Sequence, residues 1–424
     1  MKPLNVVVVG GGFGGLSVVR ALRGASVHIT LIDVTNHHVF QPLLYQVAVA
    51  ALSRGNIATP LREICRAQSN VRIIMDEVIS VDCDHHVVEL TNERIIFDSI
   101  VLAPGSQPSY FGHPEWRQYA WSLKTLSDAL RIRDRIVLAF EQADRLAPSP
   151  EVTPYLTFVI VGGGPTGVEL AGAIAEIAQY SIRPDFPSLK DQKISIILVE
   201  MHTRLLDDFP EELSHYAKMS LEELGVEVQL GSQVTDISDK VVTVGTHRIE
   251  SANVIWAAGN EASPLMKTLD APLDPMGRVY VEKDLSLSWY PWVFIIGDAA
   301  SCSSHNGHPL PALAAVAMQQ GRYVANIITH RIPSEQREIF QYQDRGKMAT
   351  LGRARAVAEI KGRKFSGLGA WLLWSVVHIF YLIGFDRVRV TIEWLWYYVT
   401  YKSSERLIEK KSYRNPFRNN VNGC

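Results

Sequence analysis

The chain has 424 residues, too long for one compact core, so two or three domains are expected. With 47% hydrophobic and 20% charged residues and a formal net charge of −2, it is ordinary globular material with no overall pull towards nucleic acid. Cys65, Cys83, Cys302 and Cys424 are scattered without a C-x-x-C pair, which excludes a disulfide framework and the dithiol a disulfide reductase needs.

The first apolar strand begins within a few residues of Met1, leaving no room for a signal or transit peptide, so a cytoplasmic setting is expected. Val6 to Val9 read as a buried parallel strand, Gly10-Gly11-Gly12-Phe13-Gly14-Gly15 as a tight turn, and Leu16 onward as a helix. That order points backbone N–H groups and the positive end of a helix at an anion, and glycines at the first, third and sixth positions allow a pyrophosphate to approach. Val27 to Asp33 reads as the next strand, and Asp33 lies 18 residues beyond Gly15, close to the spacing of a carboxylate that holds ribose hydroxyls. Further strands follow up to Ile100-Val101-Leu102-Ala103-Pro104-Gly105. Asp134 to Leu146 has the pattern of an amphipathic helix, and Ala147-Pro148-Ser149-Pro150 that of a linker.

The whole motif then recurs about 150 residues on. Phe158 to Val161 lead into Gly162-Gly163-Gly164-Pro165-Thr166-Gly167 and a helix, and Ile194 to Val199 end at Glu200. Glu200 lies 33 residues past Gly167, longer than the usual spacing of about 20, and the surplus falls in Tyr180 to Pro187, which reads as an inserted loop. At the ribose, Glu200 would repel a 2′-phosphate and favour NADH over NADPH. Val254-Ile255-Trp256-Ala257-Ala258-Gly259 echoes Leu102 to Gly105, so the second domain reads as a copy of the first, inserted into it. Val293 to Ile296 return to the first domain and end in Gly297-Asp298, a pair suited to a flavin's ribityl chain. Two dinucleotide sites in one chain, one for a flavin and one for a nicotinamide, make a hydride-transfer enzyme. Cys302-x-x-His305-x-x-His308 has a metal-like spacing but no fourth ligand, and reads as a loop without metal.

From Gly367 the composition changes. Gly369 to Gly384 is almost wholly apolar or aromatic but shorter than the roughly 20 residues that cross a bilayer. Arg387, Arg389 and Glu393 follow, then Trp394-Leu395-Trp396-Tyr397-Tyr398-Val399 and a tail with Lys402, Arg406, Lys410, Lys411, Arg414 and Arg418. Aromatic clusters beside basic residues fit a segment lying in the membrane interface, and a buried helical hairpin at a dimer contact is the alternative.

With these motifs in hand, the chain resembles the type II NADH dehydrogenases, single-subunit flavoproteins that reduce membrane quinone without pumping protons. The resemblance runs over nearly the full length. Its most specific element is Asn36-His37-His38-Val39-Phe40-Gln41-Pro42-Leu43-Leu44-Tyr45-Gln46-Val47-Ala48, which in the family passes beside the flavin and helps form the way in for the quinone. Pro309 to Gly321 resembles the family's quinone-site helix, with Ala315 where many members carry glutamine.

The resemblance implies an α/β fold of two Rossmann-type domains: an FAD domain over 1–115 and 265–340, an NADH domain over 150–264, and a C-terminal amphipathic membrane-anchoring region over 341–424. It implies FAD held by Gly10, Gly12, Phe13, Gly14, Gly15, Asp33, Gln46, Val78, Ala103, Gly105, Gly297, Asp298 and Gln319. NADH would be held by Gly162, Gly164, Pro165, Thr166, Gly167, Glu169, Glu200, Ala258 and Gly259, and the quinone by Leu44, Tyr45, Ala315 and Gln319. Glu169 and Gln319 are its candidate catalytic residues, Glu169 for positioning nicotinamide sooner than for proton transfer, and no metal is implied. The expected setting is peripheral, on the cytoplasmic face of the inner membrane, with a homodimer left open. Two other readings stay open: a flavin reductase for a ferredoxin or rubredoxin, and an NADH-responsive flavoprotein switch.

Overall fold

Buried, β-branched strands that alternate with helices give two parallel sheets in this computed structural model, which describes residues 2–303, 307, 309–382, 387–400 and 405–408. The contacts divide the chain into two compact units, one of Met1–Val39, Thr59–Pro108 and Asn260–Arg345, the other of Phe40–Ala58, Ser109–Gly259 and the segment from Gly346 onward. The region beyond Gly346 thus groups with the second unit, as does the Phe40–Ala58 segment that the sequence assigns to the first.

In the first unit a six-stranded sheet is built around Leu4–Val9, which pairs in parallel with Val27–Asp33 on one side and Ser99–Leu102 on the other. Val8 faces Leu31 and Val101 across these ladders. Val71–Met75 extends one edge and Tyr290–Ile295 the other, with Ser286–Leu287 antiparallel beyond it. The helices Phe13–Ala21 and Ala314–His330 pack together on one face, covering Val6, Val8, Leu16, Val324 and Ile328. Val78 begins a separate three-stranded antiparallel sheet.

The second unit repeats the plan with five parallel strands in the order Ala120–Ser122, Asn253–Trp256, Thr157–Val161, Ser195–Val199, Val226–Gln229. Ile160 faces Leu198 and Ile255, the counterpart of Val8 in the first unit. This is the doubly wound order, in which the chain reverses direction beside the central strand and leaves a crevice at the strand ends.

Two local readings change. The amphipathic helix begins at Leu126, eight residues before Asp134, because Thr125 and Asp128 cap each other's backbone N–H groups. Tyr180 to Ile182 are not loop but part of a π-helical continuation, Ile177–Ile182, of the helix Pro165–Glu176. The apolar C-terminal stretch forms two helices, Gly367–Tyr381 and Arg387–Thr400, joined to the rest through the antiparallel strands Lys347–Gly352, Arg355–Ile360 and Arg363–Ser366. Among the described residues no helix is long and apolar enough to cross a membrane. His305, His308, Ile383, Gly384 and the basic tail beyond Glu409 lie outside the described residues, as does Lys402.

Candidate functional site

The two glycine turns share one construction. Gly10 and Gly162 have φ of +99° and +110°, and a Cβ on Gly15 or Gly167 would run into the carbonyl of Gly10 or Gly162 respectively. Only glycine allows strand and helix to close so tightly. Each helix starts at a glycine, Gly12 or Gly164, without a side-chain cap and without an acid in its first turn. Above both of these glycines lies open space. Uncapped N–H groups facing open space form a site for an anion.

Each turn is braced by its carboxylate. Asp33 Oδ2 accepts from Gly11 N–H at 2.6 Å while Oδ1 accepts from Thr35 N–H at 2.7 Å and from Thr35 Oγ1 at 2.8 Å. Glu200 Oε2 accepts from Gly163 N–H at 2.5 Å while Oε1 accepts from His202 N–H and His202 Nδ1, both at 2.8 Å. A carboxylate has about four lone-pair sites, so each acid retains capacity for a ribose hydroxyl.

Around the first turn, Ala103 N–H donates to Val9 at 2.8 Å and Gly105 takes a φ of +75°. Gly297 has a φ of +69°, its N–H donates to Gln320 Oε1 at 2.7 Å, and Ser106 Oγ donates to Asp298 Oδ2 at 2.5 Å. Phe13 stands edge-on to His38, ring centroids 5.0 Å apart. His38 is fully buried and its Nδ1–H donates to Gly11 O at 3.0 Å, which leaves Nε2 a buried acceptor with no partner among the described residues. Burial lowers its pKa to about 4, with the Gly11 hydrogen bond pulling the other way, so the ring is neutral. An orphaned acceptor, open space over Gly12 and an uncapped helix start fit a group with a pyrophosphate and hydroxyls.

The second turn opens on a cleft of about 720 Å³. Of the residues the sequence assigns to NADH, Gly162, Gly164, Pro165, Glu200, Ala258 and Gly259 line it, while Thr166, Gly167 and Glu169 are not among its lining residues. Aromatic residues that sequence reasoning missed form another wall: Phe111, Trp116 and Trp256, with Trp256 Nε1 donating to Ser109 O at 2.8 Å. Phe111 takes a left-handed φ of +50°, and its ring tip rests on Gly259, where a Cβ would collide with it.

Glu169 sits past the first turn of its helix, so a favourable helix dipole does not account for it. Its Oε1 accepts from Thr350 N–H at 3.3 Å, and burial raises its pKa to about 8, that hydrogen bond opposing. The carboxyl therefore carries a proton at neutral pH. Tyr45 Oη meets Thr350 Oγ1 at 2.8 Å, Gln46 Nε2 donates to Tyr45 Oη at 2.9 Å, and Trp394 Nε1 donates to Gln46 Oε1 at 2.6 Å. Leu44, Tyr45 and Gln46 are buried, and all of these partners belong to the second unit.

Gln319 differs from its sequence reading. Both ends of its amide are engaged by the main chain of Gln343, Nε2 donating to O at 2.9 Å and Oε1 accepting from N–H at 3.0 Å. Its neighbour Gln320 is the buried one, reaching Gly297. Ala315 lies in the first turn of the same helix. Among the described residues no cluster of His, Cys, Asp and Glu could hold a metal.

Two doubly wound sheets, each with an uncapped glycine turn braced by a strand-end acid, define a protein with two dinucleotide-binding domains. The pyridine nucleotide-disulphide oxidoreductase family matches residues 4–321. The chain is 42% identical to the type II NADH:quinone oxidoreductase Ndh of Mycobacterium tuberculosis, over 95% of this chain and 89% of that protein. It is 40% identical to NdhA of the same organism, over 92% and 86%. The structure of NDH2 from Plasmodium falciparum in complex with NADH superposes with a TM-score of 0.86 at 19% identity, covering 94% of this chain and 98% of that one. The chain belongs to the type II NADH:quinone oxidoreductases within the pyridine nucleotide-disulphide oxidoreductase family.

Proposed function

We propose that this chain oxidises NADH and reduces a membrane quinone through bound FAD, without moving protons across the membrane. The observation that carries the reading is the pair of braced, uncapped glycine turns, since a chain that bound one nucleotide would need only one. FAD, when bound, supplies the two-electron relay between nicotinamide and quinone.

The first turn's N–H groups hold the FAD pyrophosphate, Asp33 accepts from its ribose, and Gly297 and Asp298 take the ribityl chain, Gln320 holding Gly297 in register. The second turn and Glu200 hold NADH in the same way, and the negative Glu200 disfavours a 2′-phosphate. Phe111, Trp116 and Trp256 give that cleft an aromatic wall. Glu169 keeps a proton at its carboxyl beside Thr350.

At the membrane, the helix Gly367–Tyr381 exposes Leu368, Leu372, Val376 and Phe380 at four-residue spacing, and Arg387–Thr400 exposes Val388, Ile392, Leu395 and Trp396. Their opposite faces bury Ala370, Trp374, Val390, Trp394 and Tyr397. Two apolar stripes on helices too short to span fit insertion into one leaflet, with Arg387 at the headgroups and the cytoplasmic leaflet as the expected side. Steady-state assay tests the substrate: purified, FAD-loaded protein should oxidise NADH with a short-chain quinone. Turnover only with a soluble carrier protein would refute it.

A further inference from the structure

The helix Arg387–Thr400 has two unlike faces. Outward it shows Val388, Ile392, Leu395 and Trp396, while Val390, Trp394 and Tyr397 are buried, four and then three residues apart on one inward face. Glu393 lies three residues past Val390 and four before Tyr397, so it shares that inward face. Lying on a bilayer requires only the outward apolar stripe. The carboxyl and the indole N–H on the inner face have a different partner.

That partner is the segment Phe40–Ala58, which belongs to the same unit. Trp394 Nε1 donates to Gln46 Oε1 at 2.6 Å, and Glu393 Oε2 accepts from Asn56 Nδ2 at 2.7 Å. An indole nitrogen only donates, so the Gln46 amide is fixed with its oxygen on Trp394 and its NH₂ on Tyr45 Oη, 2.9 Å away. Asn56 is used at its other end too, its Oδ1 accepting from Ser53 N–H at 2.9 Å. Gln46 and Asn56 are each 2% exposed, so losing the helix strands a buried amide at both places.

Between these two amides the chain turns sharply. Ala50 takes a left-handed φ of +58°, and Gln46 O accepts from Ala51 N–H at 2.7 Å and from Leu52 N–H at 3.2 Å. A residue other than glycine holds such a backbone only where its surroundings fix it. The two bonds from the helix bracket the turn on either side. Trp394 is itself held against the fully buried Trp374, ring centroids 5.3 Å apart, and Trp374 stacks on His378 at 4.1 Å.

We propose that Glu393 and Trp394 clamp the Gln46–Asn56 turn and are positioning residues for quinone reduction. The inference rests on the reading of Leu44 and Tyr45 as the quinone's neighbours. A quinone dissolved in lipid arrives from the side of the outward stripe, and the inner face of the same helix holds the turn that carries those neighbours. Loosening either bond therefore weakens quinone binding and leaves flavin reduction by NADH as it is.

Steady-state kinetics of the FAD-loaded protein in detergent test this, with a short-chain quinone and, separately, ferricyanide as acceptor. Trp394→Phe keeps a ring against Trp374 and removes the N–H. Glu393→Leu removes the acceptor, and Glu393→Gln restores one through its amide oxygen. Trp394→Phe and Glu393→Leu should each raise the quinone KM roughly tenfold, the change expected from one lost hydrogen bond, with ferricyanide turnover unchanged and Glu393→Gln close to wild type. Vesicle co-sedimentation should match the wild type, since both side chains face inward. Flavin content reports folding, and each of the two sites keeps the test available if the other variant does not fold. A wild-type quinone KM in both variants would overturn the clamp, and so would an equal loss with both acceptors. Tyr45→Phe separates the clamp from the reading beneath it. If that variant alone raises the quinone KM, the clamp falls and the neighbour reading stands; if none of the three moves it, both fall.

Discussion

Glu200 accepts a hydrogen bond from the backbone N–H of Gly163 at 2.5 Å, tying the end of one strand to the middle of the second glycine turn. Asp33 does the same for Gly11 in the other unit. Each acid therefore shapes its glycine turn, and in the proposed function it also offers oxygens to a ribose.

That double duty sets the expected effect of Glu200 variants. Glu200→Ala leaves the buried Gly163 N–H without its charged acceptor, a loss of about 1.5–3 kcal/mol, so the KM for NADH should rise roughly 10- to 100-fold. Glu200→Gln keeps an acceptor but removes the charge, so its larger effect should be on the ratio of kcat/KM for NADH to that for NADPH. Steady-state kinetics with both nucleotides checks this, and an unchanged ratio in Glu200→Gln would count against a ribose-facing carboxylate.

The glycine turns should be separable by single methyl groups. Gly15→Ala would set a Cβ against the Gly10 carbonyl, and Gly167→Ala would set one against Gly162. The first variant should purify without flavin colour. The second should stay yellow and lose NADH oxidation, since its damage is confined to the other turn. Visible absorbance and nucleotide titration measure both, and loss of flavin from Gly167→Ala alone would reverse the assignment of cofactors to turns.

Stability should depend on pH in a direction set by Glu169. Its folded pKa of about 8 lies above the ordinary 4.5, so the folded chain binds more protons between those values. Stability is then greatest below 4.5, as far as this group decides it, and falls as pH rises through 8. Glu169→Gln removes that slope, so its melting temperature should fall less than the wild type's between pH 6 and 9, roughly the limits set by the raised pKa. His38 and His378, both lowered to about 4 by burial, act on the acid side: folded and neutral, they favour the native state above 6.5 and oppose it as pH falls towards 4. Thermal melts across the range measure both limbs, and identical slopes in Glu169→Gln and the wild type would contradict a raised Glu169 pKa.

The strand-and-turn plan is legible in the chain because its requirements are local. A run of buried β-branched residues followed by glycines at fixed spacing is demanded by the backbone itself, and Asp33 and Glu200 sit at strand ends. The Glu169 site is not local. Its partner Thr350 is 181 residues away, and the contact between Tyr45 and Thr350 spans 305. Gln319 and Gln320 are adjacent on a helix, where one residue is a rotation of about 100°, and their pattern alone did not reveal that Gln320 faces the core. Phe111 was missed because nothing in its sequence announces a left-handed backbone or a neighbour at Gly259.

The C-terminal stripes predict membrane binding that one charge weakens and two abolish. Val376→Asp or Ile392→Asp removes an exposed side chain worth about 1.5–3 kcal/mol if buried in lipid, so vesicle partitioning should drop roughly 10- to 100-fold for each. Co-sedimentation with anionic vesicles measures it, while NADH oxidation with a water-soluble acceptor should be retained. Unaltered sedimentation of the double variant would contradict docking by these helices.

Anaerobic mixing tests the central assignment most directly. Purified, FAD-loaded protein mixed with NADH should lose its flavin absorbance, and a short-chain quinone added afterwards should bring the colour back with one quinol formed for each NADH consumed. A flavin that stays oxidised in excess NADH, or one that bleaches and is not restored by quinone, would contradict the account.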